Sequence, residues 1–168
     1  MGVAWARRAC ARRRSGRREQ RRAVPQPGGA APPDVGVSLA RTADELALAE
    51  RVAIEGYPID EARGLPAGRV LAPALLDTDV RYRVGTRDGQ PVGVGGSFVG
   101  HGVVNLCLAA TLPAARRRGV WEALVWARVD DAPDLPAVAF TSDHSRPGFA
   151  RMGFLVLGRL TFWLRVNG

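Results

Sequence analysis

The sequence predicts an α/β fold: a mixed, mostly antiparallel sheet of about seven strands with about four helices, in the order β-α-α-β-β-β-α-β-α-β-β. Three observations predict it. Apolar residues alternate with period two through Val80, Tyr82 and Val84 and again beyond an Asp88-Gly89 turn, a hairpin pattern that imposes antiparallel pairing. After Pro113 the period changes to about 3.6, as on an amphipathic helix. A buried-type run, Ala137 to Phe140, then follows, and strand, helix and strand in succession demand a parallel crossover pair.

Taken in order, Val35, Val37 and Leu39 alternate with small or polar residues and read as a short strand. Thr42-Ala43-Asp44-Glu45 has the spacing of a capping box, with Thr42 at the N-cap and Glu45 three residues on. It opens a helix whose Leu46, Ala49, Val52 and Ala53 share one face, and Gly56 and Pro58 end it. A second, shorter helix is expected across Leu71 to Leu76. The hairpin continues through Val92, Val94 and Phe98, and Gly100-His101-Gly102 turns the chain into a strand from Val103 to Leu108 that ends near Ala109. Val120, Ala123, Leu124 and Ala127 line the next helix, which Asp130-Asp131-Ala132-Pro133 terminates. A short helix is expected from about Arg146 to Met152, closed by Gly153, followed by strands at Leu155 to Leu157 and Leu160 to Val166. No internal repeat is visible.

At 168 residues, with 46% hydrophobic and 24% charged residues, the chain has the composition and length of one globular domain. No apolar stretch approaches the roughly 20 residues of a membrane-spanning helix, so a membrane protein is not expected. Cys10 and Cys107 make neither a disulfide framework nor a metal cluster, which fits a reducing cytoplasm and no metal. The net charge of +8 is confined to residues 1–22, where nine arginines face the single acid Glu19, while the rest of the chain balances to zero. With the Pro/Gly/Ala run from Val24 to Pro33, residues 1–34 read as a disordered tail and linker and 35–168 as the domain. No apolar segment follows the arginines, so the tail is not a secretory signal. The absence of lysine beside abundant Arg, Ala, Gly and Pro suggests GC-rich coding and an over-extended start. Nucleic-acid contact is expected only through residues 1–22.

The stretch from Leu106 to Trp121 carries the chemistry. It reads as a buried strand, a turn, the triplet Arg116-Arg117-Arg118, Gly119 and the first turn of a helix. Helix N-terminal amides and neighbouring guanidiniums attract an anion such as a diphosphate. A solvated surface turn is the alternative reading of the same arginines. Neither the Walker nor the G-x-G-x-x-G fingerprint is present.

The segment Ala109 to Trp121 resembles the acetyl-CoA-binding motif of the GNAT acetyltransferase superfamily, R/Q-x-x-G-x-G/A after the fourth strand. Ser142 to Phe154, with Arg146-Pro147, Arg151 and Met152-Gly153-Phe154, is similar to that family's last helix. The resemblance covers about residues 36 to 168. It implies acetyl-CoA as co-substrate, an amine acceptor, and a V-shaped gap where the fourth strand diverges from the fifth. It further implies cofactor contacts from Leu108, Ala109, Ala110 and Thr111, and a diphosphate held by Arg116, Arg117, Arg118, Gly119 and Val120. Backbone amides in the gap would polarise the thioester carbonyl.

Two positions depart from the family pattern. Trp121 stands where the motif has Gly or Ala, and Phe149 where many members carry the tyrosine that protonates the departing thiolate. A CoA-binding domain without turnover is therefore the alternative to an active enzyme. Ser142 falls at an asparagine position that contacts CoA in many members. Asp143 and His144 follow the fifth strand and are the candidates to receive the amine proton. Glu55 and Tyr57 would border the acceptor, whose identity is unread. Family members often form homodimers. His101 is expected at a loop tip, and Cys107 as a small core residue.

Overall fold

The computed structural model describes residues 31–57, 60–161, 163 and 165. The arginines of residues 1–22, Cys10 and the helix-ending Pro58 lie outside the described residues. Five strands form one sheet in chain order: β1 (Val35–Leu39), β2 (Arg81–Arg87), β3 (Gln90–Gly100), β4 (Val103–Thr111) and β5 (Ala137–Ala139). β1 to β4 pair antiparallel, and β5 joins β4 in parallel. Both hairpin turns use the left-handed backbone region, at Asp88-Gly89 (φ 50° and 75°) and His101-Gly102 (φ 54° and 76°). This is the geometry that a two-residue turn between twisted strands demands.

Helix α1 (Ala43–Gly56) starts at the expected capping box: Thr42 Oγ1 accepts from the Glu45 amide, and the Glu45 carboxylate accepts from the Thr42 amide. Helix α2 (Val120–Val129) follows β4, and α3 (Arg146–Arg151) follows β5. Alternation along the strands puts α1 and α2 on opposite faces of the sheet. Val84 and Val94 pack with Leu46, Ala49, Val52 and Ala53 of α1. Their neighbours Gly85 and Gly93 lie under α2, where an added Cβ would come 2.8 and 2.7 Å from Val120 Cγ1. Glycine there lets α2 sit directly on the backbone. Val125 of α2, Phe149 of α3 and Met152 just past it pack together with Val104 and Leu106 in a second core.

Two expectations are corrected. The segment around Leu71 to Leu76 forms a five-residue 3-10 helix, Pro73–Asp77, rather than an α-helix. Pro73 at its start has no N–H to give, and a run this short closes as 3-10. Residues 155–161 form no strand, so the sheet has five strands and three α-helices among the described residues, not about seven and four. Part of the expected last strand, Leu160 to Val166, lies outside the described residues. Leu155, Val156, Leu157, Leu160 and Trp163 are exposed, as is Phe140. An alternating pattern supplies side chains for a strand but not a ladder partner, and β5 ends after three residues.

Glu50 of α1, only 3% exposed, organises the loop before β2: its carboxylate accepts from the amides of Gly68, Val70 and Leu71. Burial by itself would raise its pKa, but these hydrogen bonds outweigh burial and hold the carboxyl below its ordinary 4.5. A depressed carboxyl stabilises the fold fully above that ordinary value, and the contribution is lost as pH falls through the lower folded value. Glu50→Gln is expected to lower the unfolding free energy by about 2 kcal/mol at pH 7, read by urea denaturation, with the difference shrinking in acid.

Candidate functional site

The site begins where β4 and β5 part. They pair only from Val104–Ala137 to Leu106–Ala139, whereas β4 runs on to Thr111. From residue 107 onward, therefore, this edge of β4 has no strand beside it. At the parting point β4 carries an extra residue: Gly96 faces Cys107 and Gly95 faces Ala109, so Leu108 has no partner in β3. Leu108 sits at φ 33°, an unusual value for a side-chain-bearing residue. The bulge inverts the alternation of the strand. Val104 and Leu106 belong to the α2 face, while Leu108 and Ala110 pack in the α1 core.

Beyond β4, a 3-10 turn (Pro113–Ala115) leads through the arginines to Gly119, the N-cap of α2, at φ 82°. Arg117 also has positive φ, 62°. Arg117 and Arg118 are exposed. Arg116 is engaged: its Nε donates to Thr111 O and its Nη2 to Gly56 O, tying the end of β4 to the end of α1. The Thr111 hydroxyl is buried with no hydrogen-bond partner among the described residues. The turn itself has an intramolecular neighbour: a Cβ at Gly119 would lie 2.8 Å from Pro32 Cγ. The linker is held there by the Val35 amide donating to Pro32 O and by an Asp34–Arg87 ion pair at 2.7 Å.

Trp121 points away from Gly119 toward α3. Its ring lies against Gly148, where a Cβ would come 2.7 Å from Cη2, and stands edge-on to Phe149 with centroids 5.0 Å apart. Phe149 in turn packs edge-on against Phe154 at 4.9 Å. The indole thus joins α2 to α3. Ser142 starts the α3 turn, its hydroxyl within 3.2 Å of Ser145 Oγ. Asp143 and His144 are exposed, and Asp143 is held by both oxygens to Arg159 at 2.7 Å. Glu55 and Tyr57, at the end of α1, are exposed as well. Glu55 lines a cavity of about 590 Å³ between α1 and residues 62–67. Cys107 is half-buried, and burial raises its thiol pKa, which suits a packing role.

Sequence reasoning missed a buried polar cluster on the α2 face. Asp131, just past α2, accepts from both terminal nitrogens of Arg83, from Ser97 Oγ at 3.1 Å and from Arg81 at 3.2 Å. Burial pushes its pKa up, but the Arg83 contacts chiefly, with Ser97 and Arg81, bring it below the ordinary value. Arg128 of α2 is 1% exposed. The only sequence signal was Arg128 in a helix whose other residues, Glu122 apart, are apolar. Among the described residues no cluster of His, Cys, Asp or Glu has metal-binding geometry. No helix among them is long and apolar enough to cross a membrane.

The parted strands, the arginine turn and the helix order define a class, and solved structures share the fold. An aminoglycoside N-acetyltransferase, AAC(6')-Iy, solved with a CoA bisubstrate analogue, is similar at 19% identity, over 79% of this chain and 99% of that one, with a TM-score of 0.63. An acetyltransferase of Trypanosoma brucei is similar at 17% identity, over 80% and 99%, with a TM-score of 0.62. A GCN5-related N-acetyltransferase of Ralstonia eutropha JMP134 is similar at 18% identity, over 77% and 98%, with a TM-score of 0.58. No family model and no curated protein matches the chain by sequence. The chain has the GNAT acetyltransferase fold.

Proposed function

We propose that this chain is an acetyl-CoA-dependent N-acetyltransferase that moves the acetyl group to a primary amine of a small molecule or protein, by direct attack in a ternary complex. The observation that carries the reading is the parting of β4 from β5 at Leu106–Ala139, beside an arginine-bearing helix start. Pantetheine lies along the open edge of β4 at Leu108, Ala109, Ala110 and Thr111, whose buried hydroxyl lacks a partner. The α2 amides from Val120 and the side chains of Arg117 and Arg118 hold the diphosphate. Arg116 shapes that turn from behind.

The amine nitrogen attacks the thioester carbonyl, a C–N bond forms, and the C–S bond breaks to release CoA thiolate. The amine proton passes to Asp143 or His144, directly or through water. Phe149 has no proton to give, so the thiolate takes its proton from water. Holding two substrates in line supplies most of the acceleration. The acceptor approaches past Tyr57 and Glu55, the latter of which lines the 590 Å³ cavity.

Calorimetric titration with acetyl-CoA followed by thiol release across a broad amine panel tests this. Saturable binding with amine-dependent release supports it, and no binding at millimolar ligand overturns it. A second reading, CoA binding without turnover, is favoured by the Trp121–Phe149 stack and is the outcome if binding occurs with no amine-dependent release. Pro32 sits against Gly119, so deleting residues 1–33 is expected to tighten acetyl-CoA binding about threefold or more, read by the same titration.

A further inference from the structure

Arg128 has no place in the chemistry above, yet it is the most costly residue to bury in this fold. Its Nε donates to Leu124 O at 2.8 Å, within α2. Its Nη1 donates to two strand carbonyls, Gly96 O at 3.0 Å and Cys107 O at 3.2 Å. Its Nη2 is buried without a partner among the described residues. Asp131, the nearby carboxylate, is already held by Arg83, Arg81 and Ser97. Burial brings the pKa of Arg128 down to about 10, so the group stays cationic at neutral pH. An apolar residue of equal volume would fill the same space without an incompletely paired charge. The guanidinium is therefore poorly explained by packing, and its two strand contacts show what it does.

Gly96 and Cys107 are the last paired residues before the bulge, and the next pair is Gly95 with Ala109. One cation thus grips both strands at the point where Leu108 is extruded. Gly95 makes room for it: a Cβ there would stand 2.9 Å from Arg128 Cζ. The peptide joining Cys107 to Leu108 is planar and trans, so its C=O and N–H point in opposite directions. Cys107 O lies against Gly96 of β3, so holding it there directs the Leu108 N–H away from β3, toward the open edge of β4. A cationic donor on the carbonyl also polarises the peptide and strengthens its N–H as a donor.

We propose that Arg128 is a positioning residue, which holds and polarises the Cys107–Leu108 peptide so that the Leu108 amide donates to the thioester carbonyl. This rests on the acetyltransferase reading. Its test uses the full chain with Arg128→Met and Arg128→Lys. Arg128→Met is expected to fold with a melting temperature near or above that of the parent, because an incompletely paired buried charge is removed. Its acetyl-CoA affinity stays within about threefold, since the diphosphate grip is distant, while kcat for thiol release falls about tenfold or more. Arg128→Lys, which restores a donor to the carbonyl, recovers part of that loss. The Leu108 amide proton resonance moves upfield in Arg128→Met. Unchanged kcat in Arg128→Met, whatever its melting temperature, would overturn the proposal. If the parent chain binds no acetyl-CoA, the acetyltransferase reading fails on its own. In that case an unmoved Leu108 resonance separately refutes the claim that Arg128 holds this peptide.

Discussion

Asp131→Ala is expected to lower the unfolding free energy by about 3 to 5 kcal/mol, read by urea denaturation at pH 7. The carboxylate is 6% exposed and Arg83 12%, so neither solvent nor salt screens the pair appreciably. Removing the anion leaves Arg81, Arg83 and Arg128 without their shared counter-charge, with the Arg83 guanidinium losing both carboxylate acceptors and keeping only a 3.5 Å contact to Ser97 Oγ. Domains of this size are stable by roughly 5 to 15 kcal/mol, so the variant stands close to the unfolding threshold. The pH dependence follows from the lowered pKa of Asp131. Its stabilisation is complete above the ordinary value of 3.8 and disappears as pH falls through the lower folded value. Wild type should therefore lose stability on acidification more steeply than Asp131→Asn. A change below about 1 kcal/mol for Asp131→Ala would show that the pair is solvated like a surface ion pair.

The double variant Arg117→Ala/Arg118→Ala is expected to weaken acetyl-CoA binding about 100-fold with little change in melting temperature. Each charge-assisted hydrogen bond to a phosphate contributes about 1.5 to 3 kcal/mol, and 1.4 kcal/mol is a factor of ten. Both side chains are exposed, so their removal opens no cavity. Arg116 behaves differently: its bonds to Thr111 O and Gly56 O mean that Arg116→Ala loosens the junction of β4 and α1 as well as any ligand contact. Undiminished affinity in the double variant would remove the diphosphate from this turn. Titrations at two salt concentrations sharpen the result, because the parent's affinity should fall more steeply with salt than the variant's.

Much of the scaffold was legible because its causes are local. Thr42 and Glu45 reach each other across a single helical turn, and Asp88-Gly89 and His101-Gly102 adopt left-handed turns with only neighbouring residues involved. The strand after α2 and the arginine-bearing helix start were likewise readable from period and punctuation. The bulge at Leu108 was not, since leucine carries no preference for positive φ and the residues around the bulge, β3 and Arg128, are distant in sequence. Nor was the partnership of Arg83, Ser97 and Asp131, which are distant in sequence and meet only once α2 lies on the sheet. The last two expected strands had the right apolar alternation, but pairing depends on a free neighbour of sufficient length, a property of the assembled sheet. The arginine triplet was legible as a group, whereas the bracing role of Arg116, the one of the three with side-chain hydrogen bonds among the described residues, came only with the coordinates of Gly56 and Thr111.

On the proposed acetyltransferase reading, the proline against Gly119 makes ligand capture a contest within one molecule. If the diphosphate binds at Gly119 as proposed, a pyrrolidine ring and a diphosphate cannot share the same few ångströms, and a molecule with its linker seated is closed to the nucleotide. The observed affinity then equals the intrinsic one scaled by the unseated fraction. Whatever displaces Pro32 then becomes a dial on how readily the carrier is taken up.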